Sequence, residues 1–449
     1  MGGRPRLLFW IVLAGLALRF VFVPLFIPER MNPFRDHWSF DVEVGKLACS
    51  VASGHGFSDP LYCRGTPPEQ NASTEAPYYQ HTGPSAMEPP VFVFLLAGIF
   101  ALFGIYSKAS LLVALFFNCA FSALTAIPVY GIAKKCFSAR AGVWAAWLWA
   151  VFPYSVYWAA STPWATPLMT LLFTTLVFFA LELDSTSSLR SWLSFGLLAG
   201  VAALVDPVVL STLPFIAAWV CYRHAKRGMA WKLPAAVAAL ALISPLVPWV
   251  VRNYVVLDHA VLLRDPFWIA FRVGNSPHSV GWFEDNANPG NSSSEMEEMV
   301  RLGELRYMAE KRRQSFSFLR DHPALFTSLV LRRVVYVWTG FWSFRSDYLK
   351  LEPFDLPNIP FATGFTFLTL LGLGRMFREH HPQRWLFALI LLTFPIIYYL
   401  TIPINRYRGP IEPEVVMLSV YGLSRRGSPN GTSLESESLS ENVLTGSQP

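Results

Sequence analysis

Apolar residues along the chain come in long blocks separated by short polar segments. A transmembrane helix needs roughly 20 apolar residues to cross about 30 Å of hydrocarbon. We therefore predict an all-α polytopic membrane protein with about ten transmembrane helices. The blocks predicted to span the membrane are 7–27, 109–133, 141–160, 164–182, 191–206, 207–222, 233–251, 358–374, 384–403 and 411–424.

A shorter apolar block at 91–105 decides the topology. It follows a Pro-Pro pair and is short for a span, so we predict a helix that lies in the membrane interface. The Lys- and Arg-rich clusters, of which 223–227 is the densest, then all lie on the cytoplasmic side, as the positive-inside rule requires. Both termini become cytoplasmic, and two long loops, 28–108 and 252–357, lie outside. If the block crossed the membrane, every cluster would move outside.

The second outer loop contains further interfacial structure. An amphipathic, charge-rich stretch at 294–323 predicts a surface helix. Residues 323–344 are apolar but include Arg332 and Arg333, and two adjacent arginines are costly in a span, so we predict an interfacial helix there. The transmembrane domain covers 1–425. The Ser-, Gly- and Asn-rich segment 426–449 is predicted to be a disordered cytoplasmic tail.

Composition supports the membrane assignment. The 449 residues are 53% hydrophobic and 15% charged, whereas soluble domains carry about 25% charged residues. The net charge of +6 does not indicate a nucleic-acid partner, because the basic residues cluster between apolar blocks. Arg19, inside the first span, should face protein or a water-filled cavity. Cys49 and Cys63 share one outer loop and are either a disulfide or two separate thiols.

Carboxylates in and beside the outer loops are candidates for chemistry. Asp36, Asp41 and Glu43 follow the first span closely, and Glu88 precedes the Pro-Pro pair. Such groups can bind a divalent cation or take a proton from a hydroxyl. Each could instead be an ordinary solvated residue, and Glu88 could cap the helix that begins after it. Asp206, at the same outer level, is predicted to cap the helix that follows it.

Arginines at the predicted outer face are candidates for phosphate binding. Arg406 and Arg408 precede the last span around a Gly-Pro turn, together with Glu412. The two arginines oppose the positive-inside trend, so topology does not explain them, and paired arginines suit a pyrophosphate or phosphodiester lipid. Anchoring to anionic lipid is the alternative. Arg252, at the outer end of block 233–251, could likewise hold a phosphate or simply snorkel to the membrane surface.

In their order along the chain, these features resemble the GT-C glycosyltransferases, among them the protein O-mannosyltransferases and the lipid A aminoarabinose transferases. The resemblance covers about residues 5–425 and rests on short motifs. These motifs are Gly54-His55-Gly56-Phe57-Ser58 after the acidic loop, the Pro-Pro-led apolar helix ending at Phe103-Gly104, Asn118 in a long span, a Lys-Lys-Cys-Phe turn, and Arg-Tyr-Arg-x-Pro-Ile-Glu-Pro before the last span.

The resemblance implies an enzyme that moves a sugar from a polyprenyl-phosphate donor to a lipid, polysaccharide or protein acceptor. Transfer would occur at the outer face of the cytoplasmic (inner) membrane, with inversion of the anomeric centre. The family's catalytic carboxylate in the first outer loop corresponds to Asp41 or Glu43. Some relatives carry Lys where this chain has Glu88, so more of the phosphate contact falls to Arg406 and Arg408. Whether a divalent cation is required stays open.

A transporter or flippase of a lipid-linked substrate is the alternative function. It would also need outer arginines and a buried Arg19. Transporters tend to show inverted repeats and polar residues near the membrane midplane, whereas the polar residues of this chain concentrate at one face. A non-catalytic scaffold would leave the outer acidic and arginine clusters unexplained. The sequence therefore favours the glycosyltransferase.

Overall fold

The computed structural model describes residues 4–30, 42–63, 82–283, 285–344, 346 and 355–424. Asp36, Asp41 and the predicted tail 426–449 lie outside these residues. Within them the regular secondary structure is helical, with one isolated bridge between Ser58 and Pro84. The predicted all-α fold class is confirmed.

The first half of the chain forms long apolar helices joined by short turns. In chain order they are α1 (Arg4–Arg30), α2 (Val42–Ala52), α3 (Pro90–Phe103), α4 (Lys108–Leu124), α5 (Ala126–Cys136), α6 (Ala139–Val151), α7 (Pro153–Ser161), α8 (Thr166–Leu183), α9 (Leu189–Val205), a 3-10 turn (Pro207–Ser211), α10 (Leu213–Lys226) and α11 (Lys232–Leu257).

The second half alternates shorter helices with the last apolar ones. They are α12 (Phe267–Gly274), a 3-10 turn (Asp285–Ala287), α13 (Ser293–Leu302), α14 (Glu304–Asp321), α15 (Pro323–Thr339), α16 (Asp355–Arg378), α17 (Arg384–Thr393), α18 (Ile396–Leu400), a 3-10 turn (Asn405–Ile411) and α19 (Glu412–Leu423). The charge-rich stretch at 294–323, predicted as one surface helix, divides at Gly303, whose φ of 76° suits glycine.

Among the described residues, five helical stretches are long and apolar enough to cross a membrane. They are α1, α4 with α5, α8, α11 and α16, which match five of the predicted spans. Shorter apolar helices occur at Pro90–Phe103, Leu189–Val205 and Arg384–Leu400. The chain is therefore a multi-pass membrane protein, while ten as the number of crossings stays a prediction.

Proline divides two of the predicted spans. The block 141–160 breaks between α6 and α7, where Pro153 is the first residue of the new helix. The block 384–403 breaks at Pro395, before α18. A proline has no N–H to give to the preceding turn, so these long apolar runs form two helices each rather than one. Hydrophobic length alone did not reveal these breaks.

Arg19 confirms the expectation that its guanidinium faces protein. The side chain is fully buried. Its five N–H donors are engaged by Ser122 Oγ, Ser155 Oγ and the carbonyl oxygens of Gly15, Trp149 and Ala150, at 2.6–3.2 Å. These bonds tie α1 to α4, α6 and α7, and they offset the cost of taking a cation out of water.

Arg332 and Arg333 of α15 behave differently from each other. Arg332 is exposed, whereas Arg333 is fully buried. The Arg333 guanidinium donates to Asn275 Oδ1 at 3.0 Å and to several backbone carbonyls, including that of Tyr399 at 3.2 Å. The arginine pair was predicted to keep this segment at the interface. The structure buries one of the two by bonding it to the Asn275 side chain and to backbone carbonyls.

The basic clusters predicted to be cytoplasmic meet at one end of the helix bundle. Arg223 donates to both carboxylate oxygens of Asp184 at 2.8 Å and to the carbonyl oxygen of Pro382. His381 contacts the carbonyl oxygen of Cys136 at 2.7 Å. From this end α9 runs for 17 residues, a rise of about 25 Å, to Asp206 at the opposite end. The candidate site residues lie at that opposite end.

The first outer loop is held by a covalent link. Cys49 in α2 is bonded to Cys63, with Cα atoms 6.0 Å apart, a separation normal for disulfides. The sequence had left the pairing open. A disulfide is typical of an oxidising compartment, which agrees with the predicted placement of this loop outside the cytoplasm.

A candidate active site at the outer end of the bundle

Arg406 and Arg408 lie in the 3-10 turn that precedes α19. Successive side chains of a 3-10 helix are about 120° apart, so residues two apart point in different directions. Arg406 stacks on the indole of Trp164, with its guanidinium carbon 3.8 Å from the ring centroid. Arg408 turns into the protein, where it is buried. The two arginines that the sequence placed together therefore face different surroundings.

Arg408 joins two helices. Its Nε donates to the carboxylate of Glu412, and its Nη1 donates to the carbonyl oxygen of Val337 at 3.0 Å. Both Arg408 and Glu412 are buried, with 6% and 2% of their surface exposed. A buried ion pair of this kind attaches the start of α19 to the end of α15. This contact accounts for Arg408 and Glu412 by packing, and their predicted role in substrate binding stays untested.

Glu88 pairs with a residue that the sequence did not single out. Its Oε1 accepts a hydrogen bond from Arg264 Nη2 at 3.0 Å, across 176 residues. Capping of α3 was one of two alternatives for Glu88, and α3 has no side-chain cap. Although burial disfavours the cation, the neighbouring carboxylates of Glu88 and Asp206 raise the pKa of Arg264. Arg264 is therefore held as a cation.

Asp206 connects this ion pair to Arg406. Its Oδ1 accepts from the backbone N–H of Val208 at 3.0 Å, which confirms the predicted capping. The same carboxylate lies within electrostatic range of both Arg264 and Arg406. We call Glu88, Asp206, Arg264 and Arg406 the outer charge cluster. It contains two cations and two carboxylates at the end of the bundle opposite the basic clusters, the end predicted to face outward.

The outer charge cluster is partly accessible to solvent. In Arg264, 34% of the side-chain surface is exposed although charged groups surround it. Glu88, Asp206 and Arg406 are also partly accessible.

Aromatic rings line one side of the outer charge cluster. Tyr398 and Tyr407 stack with centroids 4.5 Å apart, and the indole of Trp164, under Arg406, stacks on Trp158 at 5.3 Å. The rings continue through Tyr157 to the outer end of α1, the helix that leads into the first outer loop. The cluster is thus connected through rings to the chain segment that precedes the candidate catalytic carboxylates.

Glu43 lies in the first turn of α2 and is half-buried. The carbonyl oxygen of Gly45 accepts from the Tyr106 hydroxyl at 3.0 Å, so the start of α2 lies near the end of α3. Glu88 stands before the start of α3, whose 14 residues rise about 21 Å. The structure therefore does not bring Glu43 beside Glu88. The other candidate base, Asp41, and Asp36 lie outside the described residues.

Arg252 is engaged by the first outer loop. Its guanidinium donates to the carbonyl oxygens of Phe57 and Ser85, each at 2.7 Å, and stacks on the rings of Phe57 and Trp249. These contacts attach the outer end of α11 to that loop. They give Arg252 a structural role, and its predicted phosphate contact stays untested.

Arg264 was missed because the second outer loop contains many arginines, and nothing in its local sequence distinguishes this one. Its importance follows from a partner far away in sequence. In the described part of the chain no group of three or more His, Cys, Asp or Glu side chains could hold a metal ion.

Comparison with known proteins identifies the class of fold. A family model described as dolichyl-phosphate-mannose-protein mannosyltransferase matches residues 87–249, less than half of the chain. The archaeal oligosaccharyltransferase AglB from Archaeoglobus fulgidus, solved with an inhibitory peptide and a dolichol-phosphate, matches with a TM-score of 0.52 at 14% identity. That match covers 100% of this chain and 53% of AglB.

The apo form of the Archaeoglobus fulgidus oligosaccharyltransferase matches in the same way, with a TM-score of 0.51 and 14% identity over 94% of this chain and 50% of that one. The chain thus spans about half the length of these relatives. No curated protein matches it in sequence. Together the family model and the shared fold confirm the resemblance to GT-C glycosyltransferases.

Proposed function

We propose that the protein is a glycosyltransferase that moves a sugar from a polyprenyl-phosphate-linked donor to an acceptor at the outer face of the cytoplasmic membrane. The observation that carries the proposal is the convergence of Arg406 and Arg264 in one partly open cluster. The two side chains come from loops more than a hundred residues apart, and both lie at the outer end of the bundle.

The donor phosphate would bind at the outer charge cluster. Arginine presents forked N–H donors that match the oxygens of a phosphate. Stacking on Trp164 fixes the plane of the Arg406 guanidinium. Glu88 holds Arg264 in position before the donor arrives. Arg408 is buried against Glu412, whereas Arg406 is partly accessible and shares the cluster with Arg264, so Arg406 is the favoured phosphate ligand.

The transfer would need a base and a stabilised leaving group. A carboxylate takes the proton of the acceptor hydroxyl as its oxygen forms a bond to the anomeric carbon. The bond from that carbon to the phosphate oxygen breaks, and polyprenyl phosphate leaves with the electron pair, stabilised by the arginines. Attack from the face opposite the leaving group inverts the centre. Asp41 and Glu43 are the candidate bases that the family resemblance implies. Because Glu43 does not lie beside Glu88, Asp41 is favoured of the two for a donor phosphate bound at the outer charge cluster.

The transporter alternative loses one of its supports. A buried arginine was one feature that a transporter would share, because a mobile cation can carry or gate a substrate. All five Arg19 donors are instead engaged by four different parts of a packed bundle. This arrangement is suited to holding helices together. The glycosyltransferase therefore accounts for more of the observed geometry.

The test is mass spectrometry of cell-envelope glycans, glycolipids and glycoproteins from cells with the gene present and deleted. We expect a sugar modification to disappear on deletion and to return with the wild-type gene but not with Arg406→Ala. Arg320→Ala is the matched control, because Arg320 is 80% exposed and pairs with its neighbour Asp321. Unchanged envelope sugars in the deletion strain would contradict the proposal. Accumulation of an unflipped lipid-linked sugar would support the transporter instead.

A further inference from the structure

Two buried carboxyl groups meet beneath the outer charge cluster. Asp265 and Glu304 come from different parts of the second outer loop, and their carboxyl groups are close enough to influence each other's ionisation. Asp265 Oδ1 and Oδ2 and Glu304 Oε2 are buried without a hydrogen-bond partner among the described residues. Two buried carboxylates repel each other when both are ionised, so sharing one proton lowers the cost of burying them together.

The same two residues hold a segment of the first outer loop. Glu304 Oε1 accepts from the backbone N–H of Ala86 at 2.7 Å. The backbone N–H of Asp265 donates to the carbonyl oxygen of Ala86 at 3.2 Å. Ala86 lies two residues before Glu88, and Asp265 directly follows Arg264. The contact between the two outer loops therefore fixes the spacing of the ion pair in the outer charge cluster.

We propose that Asp265 and Glu304 share one proton and form a pH-sensitive latch that positions Arg264 against Glu88. The positioning role rests on the proposed function, since it concerns the site where donor phosphate would bind. Asp265 and Glu304 act through the loops they join. They are positioning residues and do not take part in sugar transfer themselves.

The charges around the latch decide how it responds to pH. Arg252 from α11 faces Glu304, and Arg264 faces Asp265. Other charged groups on the packed helices have their own contacts, with Arg272 of α12 bonded to the Asn275 carbonyl oxygen and Glu295 and Glu298 of α13 bonded to Lys311. Burial, and then the neighbouring Asp265 carboxyl, raise the pKa of Glu304 well above its usual range.

The sign of the pH effect follows from this direction. A carboxyl whose pKa is higher in the latched state binds more protons when the latch is closed than when it is open. Raising the pH from the usual carboxyl range through the raised pKa must therefore favour the open state. The equilibrium constant for opening can rise by up to about tenfold per pH unit in that window. Below the window the carboxyl is protonated in both states, and opening no longer depends on pH.

Hydrogen exchange of the intact protein in lipid nanodiscs tests the latch without any substrate. Peptides covering 82–90 and 258–270 contain the amides of Ala86 and Asp265, which are bonded only across the latch. After correction for the intrinsic exchange rate, their protection should fall between pH 5.5 and 8.5 in the wild type. In Glu304→Gln the glutamine amide is neutral at every pH and can donate to Asp265. Protection of the two amides should therefore persist and should not change with pH.

Two controls keep the test decisive. Glu297→Gln removes a carboxylate from an exposed position on α13 and should behave as wild type. Asp265→Asn removes the neighbouring carboxyl but leaves Glu304 buried, so it should weaken the dependence of protection on pH without abolishing it. It is the variant to measure if Glu304→Gln does not fold, and a slope as steep as that of the wild type would then count against the latch. Protection independent of pH in the wild type, or an unchanged slope in Glu304→Gln, would overturn the proposal.

Binding of undecaprenyl phosphate over the same pH range separates the latch from the proposed function. The second ionisation of the lipid phosphate, with a pKa of about 6, changes binding equally in both proteins. We therefore expect the affinity of the wild type to fall with rising pH relative to that of Glu304→Gln. Affinities that change in parallel in the two proteins while the latch opens would refute the positioning of Arg264. No binding at any pH, with exchange behaving as expected, would refute the proposed function and leave the latch itself supported.

Discussion

Arg406 and Arg408 stand two residues apart in one turn, yet the structure gives them different roles, and paired lysine substitutions can separate the two. Arg406 lies in the outer charge cluster on Trp164. Arg408 is buried against Glu412 and the carbonyl oxygen of Val337. We expect Arg406→Lys to weaken donor binding with little effect on folding. We expect Arg408→Lys to destabilise the protein with little direct effect on the phosphate contact.

The expected magnitudes follow from the contacts. Lysine keeps the charge of Arg406 but cannot make a bidentate contact, so one charge-assisted hydrogen bond to phosphate is lost. Such a bond contributes about 1.5–3 kcal/mol, so its loss should raise the dissociation constant about 10- to 150-fold. Breaking a buried ion pair costs about 3–5 kcal/mol. Lysine retains part of the Arg408 pair, so the loss of unfolding free energy should lie below that range.

The assay uses each purified variant in lipid nanodiscs. Binding of undecaprenyl phosphate is titrated by native mass spectrometry, and thermal unfolding is followed in parallel on the same samples. The reasoning is refuted if Arg406→Lys binds the lipid phosphate as well as wild type does. It is also refuted if Arg408→Lys loses affinity to the same extent as Arg406→Lys while its melting temperature is unchanged.

Three further predictions address the bundle, the loop and the chemistry. Arg19→Met should lower the melting temperature sharply, because each buried partner left unsatisfied costs about 1–3 kcal/mol; a stable variant would show that water replaces the guanidinium. Cys63→Ser should reduce the unfolding free energy by about 3 kcal/mol, as expected for the 14-residue separation of the disulfide, and reductant should mimic it only in the wild type. The amide variant of the true base, Asp41→Asn or Glu43→Gln, should lose about 10²- to 10⁴-fold in sugar transfer at saturating donor, whereas Asp36→Asn should lose far less. If both Asp41→Asn and Glu43→Gln stay within about threefold of wild type, the catalytic assignment is wrong.

Most of the helical architecture could be predicted because hydrocarbon thickness imposes a length on each apolar block. The blocks 7–27, 164–182 and 233–251 correspond to α1, α8 and α11 within a few residues at most ends. Errors arose where a proline interrupted an otherwise apolar run, as at Pro153 and Pro395. The pattern of apolar residues reports burial in lipid, whereas the break depends on a single missing N–H.

The charge pairing of the site was less predictable. Glu88 and Arg264 meet across 176 residues, and neither local sequence indicates the other. The difference between Arg406 and Arg408 depends on the 3-10 geometry of one turn, which a Gly-Pro pair only suggests. Local spacing did predict that Asp206 caps the following turn, because that contact joins neighbours in sequence. Long-range pairing needs the tertiary structure.

The arrangement of the outer charge cluster has a consequence for how a donor could bind. Its two arginines and two carboxylates balance, which limits the desolvation cost of placing four charges beside the membrane. A bound phosphate would compete with Glu88 for Arg264, so binding would be sensitive to the spacing of the loops that carry them. The bonds of Ala86 to Glu304 and to Asp265 join those loops beside the ion pair. We therefore expect donor affinity and the spacing of the outer loops to change together. A substitution in either outer loop should be assessed by the binding of lipid phosphate and by hydrogen exchange of the loops.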